Sequence, residues 1–441
     1  MRKLFITLSL LCASVAAQAS SPIGAFTDTA NQNTPGTSNP SLDPVVAWNR
    51  ALLVIVRTPG AQSATVHPTR SFAILHAAIY DAVNNIDRTR RPYLVRFAGV
   101  SREASEAAAA DVAAHDVLVA LYPGFETTLD AQLEQMLTVI PAGEHKEQGM
   151  RLGKLVADAI LDSRSDDGSS VQPAPFVFGS RPGEFQSTPP NFPAAQFTEW
   201  SRVTPFALVE ANQFRPGPPP GLTSETYTKA FNEVKSLGIA NSTTATADQA
   251  VTGHFWNGAI QNYWNEIAQT AALEHKLSLP ESARLFALLN LAFADDVIAF
   301  YDAKYTYDFW RPVTAVRGAG TDNNPNTIAD ANWLPQVGKT TPDPSYPGAH
   351  AVISASGAML LKSFFWRDRF SFKVTSEVMP GVERSFTSFS AAGREATLSR
   401  IFAGVHFRSD LTTRSELGKE VAGFVFDHFL QPNDRDERSE R

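Results

Sequence analysis

The chain has 441 residues, 43% of them hydrophobic and 19% charged, which is enough to bury a real core in one large domain or two ordinary ones. That composition excludes a disordered chain. The formal net charge of −7 excludes bulk nucleic-acid binding, which needs a basic surface, so any anion site has to be a local basic cluster on an acidic background.

At the N-terminus, Arg2 and Lys3 precede a short apolar run over residues 4–16, and Ala17, Gln18 and Ala19 fit a small-x-small cleavage site. Residues 1–19 are therefore expected to be an export signal, and the mature protein to be periplasmic or secreted. No other stretch is long and apolar enough for a membrane span. The single cysteine, Cys12, lies inside the signal, behind Leu11 where lipid attachment wants a small residue. After cleavage no thiol remains for a disulfide, a metal or a nucleophile. Residues 20–42, rich in Ser, Thr, Asn, Gly and Pro, read as a flexible leader.

Apolar residues at spacings of three and four then predict helices over 45–56, 69–85, 103–121, 129–140 and 144–163. Prolines, glycines and phenylalanines break the pattern over 164–222, predicting a long irregular segment wrapped over the surface. Helical periodicity returns at 224–237. Two long helices are expected over 248–275 and 280–307, and others near 350–365, 386–402 and 410–429. Residues 431–441 read as a charged, disordered tail. Few runs alternate as an exposed strand does, and no repeat, glycine-rich phosphate loop, HExxH or GxSxG is present. The expected fold class is all-α, a helical bundle with long Pro/Gly-rich loops, with residues 43–430 as one domain.

Three C-terminal segments, within 300–412, carry the chemistry. In the first, Lys304 and Arg311 stand seven residues apart, almost two helical turns, so one helix face could present both, and Pro312 marks a helix end. In the second, Pro347 and Gly348 set a turn, Ala349 opens a helix, and His350 falls in its first turn. Free amides and the dipole at such an end bind anions. In the third, an unbroken helix would put Arg400 and His406 on different faces, but Gly404 can break it and let them converge. Asp410 could then fix the tautomer of His406. Taken alone, the first segment reads equally well as two solvated surface cations, the histidine of the second more often as structural, and the third as a surface pair.

Together, their order and spacing resemble the superfamily joining vanadium-dependent haloperoxidases and type 2 phosphatidic acid phosphatases. Its pattern is Lys-x6-Arg-Pro, then Pro-Ser-Gly-His, then Ser-Arg-x3-Gly-x-His-x3-Asp. The first motif is complete at Lys304, Arg311 and Pro312, and the third at Ser399, Arg400, Gly404, His406 and Asp410. Residues 75–84, the pair Phe255 and Trp256 with Trp264, and residues 283–290 look like the bacterial haloperoxidase members, extending the resemblance over roughly 45–430. It implies a vanadate cofactor whose oxygens are neutralised by Lys304, Arg311 and Arg400, with vanadium on His406, His350 as the acid–base group and Asp410 orienting His406. Hydrogen peroxide and a halide would be the substrates. In a phosphatase, the alternative, His406 would attack the phosphorus of a phosphate ester.

Two departures stand out. Gly348 and Ala349 replace the family's Ser-Gly, which removes a hydroxyl that donates to the oxyanion while keeping the backbone amides. This exchange motivates a third reading, a non-catalytic oxyanion-binding homologue. Asn257 and Gly258 stand where the family often has an acidic residue, which leaves open what balances the arginine charges. Asp343, just before the second segment, is expected to face the pocket. Adjacent Asp295 and Asp296 point about 100° apart on a helix, so a structural role is expected for them and not a metal pair.

Overall fold

The computed structural model describes residues 43–411 and 415–433. The expected signal and leader (1–42) and most of the expected tail (434–441) lie outside the described residues. Thirteen α-helices and one small hairpin make up the described part.

Helix α1 (Pro44–Arg57) starts where Asp43 caps the amide of Val45 at 2.8 Å and Pro44 fills the first position, where no amide is needed. It is followed by α2 (Pro68–Asp87), α3 (Glu106–Leu121), α4 (Glu126–Thr138) and α5 (Glu144–Ser163), close to the spans that periodicity predicts. Residues 164–222 form no α-helix, as expected. Side chains of the helical body strap this segment down. Asp295 accepts the amides of Phe206, Ala207 and Leu208, each at 2.7 Å. Tyr305 and Tyr346 donate their hydroxyls to the carbonyls of Gln196 and Gly217.

Helix α6 (Glu225–Leu237) begins at a Ser224 cap. The single helix expected over 248–275 is two helices, α7 (Ala247–Phe255) and α8 (Ile260–Glu274). The break is set from far along the chain: a Cβ at Gly258 would stand 2.4 Å from the Glu377 carboxylate, which holds the amide of Ala259 at 2.6 Å. Helix α9 (Leu279–Tyr307) follows, then α10 (Pro312–Gly318), a short helix that the sequence reading did not foresee, and α11 (Ala349–Phe364). Strands β1 (Arg369–Thr375) and β2 (Glu383–Ser388) pair antiparallel, with Phe372 opposite Phe386. The hairpin takes the start of the helix expected at 386, so α12 (Phe389–Phe402) begins only where Ser388 caps Ala391. Asp410, where the last helix is expected to begin, instead closes a short 3-10 turn, and the last helix is described as α13 (Ser415–His428). Beyond it, residues 431–433 are pinned: Pro432 bridges to Arg90, and Asn433 donates to the Arg88 carbonyl at 2.7 Å.

Helix α9 is the axis. It is buried on nearly every side, mostly through apolar residues, and α1, α2, α8, α11 and α13 pack on it. Helix α3 packs between α2 and α5, and α11 also carries α12 and α13. A second, smaller core of Tyr227, Phe309, Trp310, Tyr346, Phe407 and Leu411 among others lies beside the C-terminal end of α9. It holds the ends of α9 and α12 and the start of α11 together, and so brings the three segments to one place.

Candidate oxyanion site

Lys304 lies in the last turn of α9, where cations are favoured by the helix dipole. The helix stops at Asp308, which is left-handed (φ 48°), and Arg311 is extended (φ −83°, ψ 154°) as the residue before a proline should be. The two cations therefore do not share a helix face, as the spacing alone had indicated. They meet because the chain turns between them and both grip Asp343. Asp343 Oδ1 is 2.8 Å from Lys304 Nζ and 2.6 Å from Arg311 Nη2, and Arg311 Nε donates to the Asp343 carbonyl at 2.7 Å. Lys304 also donates to the Pro344 carbonyl. Burial pushes the Asp343 carboxyl up, but the two cations outweigh it and hold it below its ordinary value. Burial, with Arg311 nearby, brings the Lys304 ammonium down to about 8 against the pull of Asp343, so the pair stays ionised at neutral pH.

The third segment folds as Gly404 predicts. Helix α12 ends at Phe402, Gly404 takes φ 79°, and Val405 and His406 turn back toward Arg311. Arg311 Nη1 donates to the Val405 carbonyl at 2.9 Å and lies 3.1 Å from His406 Nε2. A guanidinium only donates, so Nε2 accepts and the ring proton sits on Nδ1. Nδ1 is 3.3 Å from Asp410 Oδ2, the orienting contact expected of Asp410. Burial, then the charges of Arg311, Lys304 and Arg400, holds His406 well below its usual range, so it is neutral. Burial lifts the Asp410 carboxyl to about 6, against a hydrogen bond from Ser345.

Arg400, in the last turn of α12, donates to the Trp256 carbonyl at 3.3 Å and to Asn257 Oδ1 at 3.0 Å, and its Nε is buried with no partner. Asn257 thus engages the guanidinium without neutralising it. Among the described residues, Asp343 is the carboxylate paired with the site's cations, and it pairs with Lys304 and Arg311 but not with Arg400. Burial and Arg311 bring Arg400 down to about 9.

His350 lies in the first turn of α11 as expected. Its Nε2 is 2.9 Å from the Trp256 carbonyl, which only accepts, so Nε2 carries the proton, and the Gly258 carbonyl also acts on the ring. Burial and Arg400 hold this histidine well below its usual range. Gly348 caps α11 with ordinary backbone (φ −77°), and its amide donates to the Asp410 carbonyl at 3.1 Å. Ala349 is helical, so its Cβ brings no strain. Ala349 and His350 are partly exposed while residues 343–348 are buried, so the site opens to solvent at the start of α11.

The structure thus gathers Lys304, Arg311, Arg400, His406, Asp410, Asp343 and the Gly348–His350 turn. It adds the Trp256 carbonyl, shared by His350 and Arg400, and Ser345, whose hydroxyl is 2.6 Å from Asp410 Oδ2. Sequence reasoning missed both. A backbone carbonyl has no sequence signature, and Ser345 is one polar residue in a proline-rich turn. Asp295 and Asp296 lie apart from these contacts, Asp295 bound to three amides of the strap.

Comparison with known proteins shows where this fold recurs. Residues 284–435 match the family described as the VCPO second helical-bundle domain, so the C-terminal third of the chain, which carries the three motifs, is similar to that of the vanadium haloperoxidases. It is 22% identical to the vanadium chloroperoxidase of Curvularia inaequalis, over 85% of this chain and 80% of that one. Its fold is similar to the crystal structure of the first bacterial vanadium-dependent iodoperoxidase, with a TM-score of 0.75 at 24% identity, covering 90% of this chain and 97% of the other. A holo-type bacterial vanadium-dependent chloroperoxidase superposes with a TM-score of 0.63 at 15% identity, covering 85% and 96%.

Proposed function

We propose that the chain is a vanadate-dependent haloperoxidase-like enzyme that oxidises halide with hydrogen peroxide. The observation that carries this is the charge balance around His406 Nε2. Three buried cations, Lys304, Arg311 and Arg400, surround a neutral imidazole, with one paired carboxylate, Asp343, against them. The unpartnered Arg400 Nε fits a further acceptor at this place. These residues would hold a tetrahedral oxyanion: His406 Nε2, released by Arg311 Nη1, would meet its central atom, and the three cations and the first-turn amides of α11 would neutralise its charge. When bound, vanadate supplies a Lewis-acidic centre at which hydrogen peroxide is activated toward halide. The protein's part is to hold Nε2 unprotonated, to neutralise oxygen charge and to manage a proton. His350 is placed to take that proton while Trp256 keeps its Nε2–H occupied. The expected result is halogenation with vanadate and peroxide on chloride, bromide or iodide, lost at least a thousandfold in His406→Ala. No vanadate-dependent turnover with any of the three would overturn the reading.

The same neutral His406 also favours phosphoryl transfer as a second reading, because an unprotonated Nε2 is a nucleophile. Release of phosphate from p-nitrophenyl phosphate, inhibited by vanadate and lost in His406→Ala, would support it. Export is part of the proposal. N-terminal sequencing of the secreted or periplasmic protein is expected to begin at Ser20, and a mature protein starting at Met1 would exclude it.

A further inference from the structure

Ser345 is fully buried and comes from the second segment, yet its side chain reaches the histidine–aspartate pair of the third. Its amide donates to the Phe309 carbonyl at 2.8 Å, which ties it to the first segment as well. The hydroxyl closes a triangle. It donates to Asp410 Oδ2 at 2.6 Å and stands 3.4 Å from His406 Nδ1, while Nδ1 and Oδ2 are 3.3 Å apart. The amide of Phe407 donates to the same Oδ2 at 2.9 Å. Asp410 Oδ1 is buried without a partner, so Ser345, His406 and Phe407 all meet the carboxylate on one oxygen. With the hydroxyl proton committed to Oδ2, the Ser345 lone pairs face Nδ1–H, and that proton has two acceptors on one side of the ring.

We propose that Ser345 is a positioning residue: its hydroxyl locks the Asp410 carboxylate and shares the Nδ1 proton of His406, which fixes the ring plane and aims Nε2 at the oxyanion. The turn that lost a hydroxyl at Gly348 thus carries another one three residues earlier, directed at the far side of the same histidine. The role of Nε2 rests on the oxyanion reading above, whereas the triangle at Nδ1 does not.

The test uses the full-length protein with ¹⁵N-labelled histidine, as wild type, Ser345→Ala and Ser345→Cys. Cysteine is nearly isosteric but a weak donor, so it fills the site without restoring the bond. In both variants the His406 Nδ1–H resonance is expected to shift and its exchange with water to quicken. Vanadate affinity, measured by calorimetry, is expected to fall about tenfold or more, the usual cost of losing a group that orients a ligating histidine. An unchanged resonance in either folded variant, or vanadate affinity equal to or above wild type, would overturn the proposal. If the wild type itself binds no vanadate, the oxyanion reading fails, and the resonance still decides the role of Ser345.

Discussion

Asp343 is the residue on which the charge of the site turns. It is a buried carboxylate held between two buried cations, so removing its charge strands Lys304 and Arg311 in a poor dielectric. Asp343→Asn is expected to cost about 3–5 kcal/mol of stability without anion, the usual penalty for breaking a buried pair. Phosphate or vanadate should then raise the melting temperature more in the variant than in the wild type, because the anion would take over the lost charge. Equal anion-induced shifts, by thermal denaturation, would mean that no anion binds near Lys304 and Arg311. Gly348 has a packing logic of its own. A Cβ there would lie 2.7 Å from Leu411 Cδ2, so Leu411 occupies the room that a serine side chain would need.

Between elements, α1 meets α3 where Trp48 Nε1 donates to Asp111 Oδ1 at 2.8 Å, while Asp111 Oδ2 is buried without a partner. Burial pushes this carboxyl up to about 7, with the charge of Asp43 adding and the Trp48 bond opposing. A carboxyl whose folded value lies above its unfolded one binds its proton more tightly in the native state. It therefore adds stability as the pH falls from about 7 toward 4, and that contribution is lost as the pH rises through 7. Asp111→Asn keeps the acceptor for Trp48 without the charge. It should melt above the wild type at pH 8, with the gap narrowing at pH 5 and closing toward pH 4, and identical melting at pH 8 would contradict the account. The helix contacts themselves are close: a Cβ at Gly153 of α5 would stand 2.4 Å from the Ala109 carbonyl of α3.

For the whole molecule, the irregular stretch 164–222 is a strap fastened to the axial helix, and Asp295 is its main fastener. Asp295→Ala leaves three amides without their acceptor at a cost of about 1–3 kcal/mol for each that stays buried. The variant should melt lower and be cleaved sooner within 164–222 under limited proteolysis, with α9 intact. Wild-type cleavage rates would show that the strap is held elsewhere. The strap also touches the site's surroundings, since the Gln196 amide donates to the Pro342 carbonyl at 3.0 Å, next to Asp343.

Much of this was legible in the sequence because it depends on local rules. The apolar period marked most helices, proline and glycine marked the irregular strap, and Gly404 marked the turn that frees His406. The spacing of Lys304, Arg311, His350, Arg400, His406 and Asp410 carried the resemblance to the haloperoxidases. What was not legible depends on contacts between distant residues. The break at Gly258 is set by Glu377, the hairpin by Phe372 against Phe386, and the meeting of Lys304 and Arg311 by Asp343 instead of a common helix face. The sequence by itself determined which groups are available and where the chain can turn, since both follow from side-chain chemistry and backbone sterics. Only the tertiary structure decided which nitrogen of each histidine carries its proton and which carboxylate opposes which cation. Those follow from hydrogen bonds between segments far apart in the chain, which no local pattern encodes.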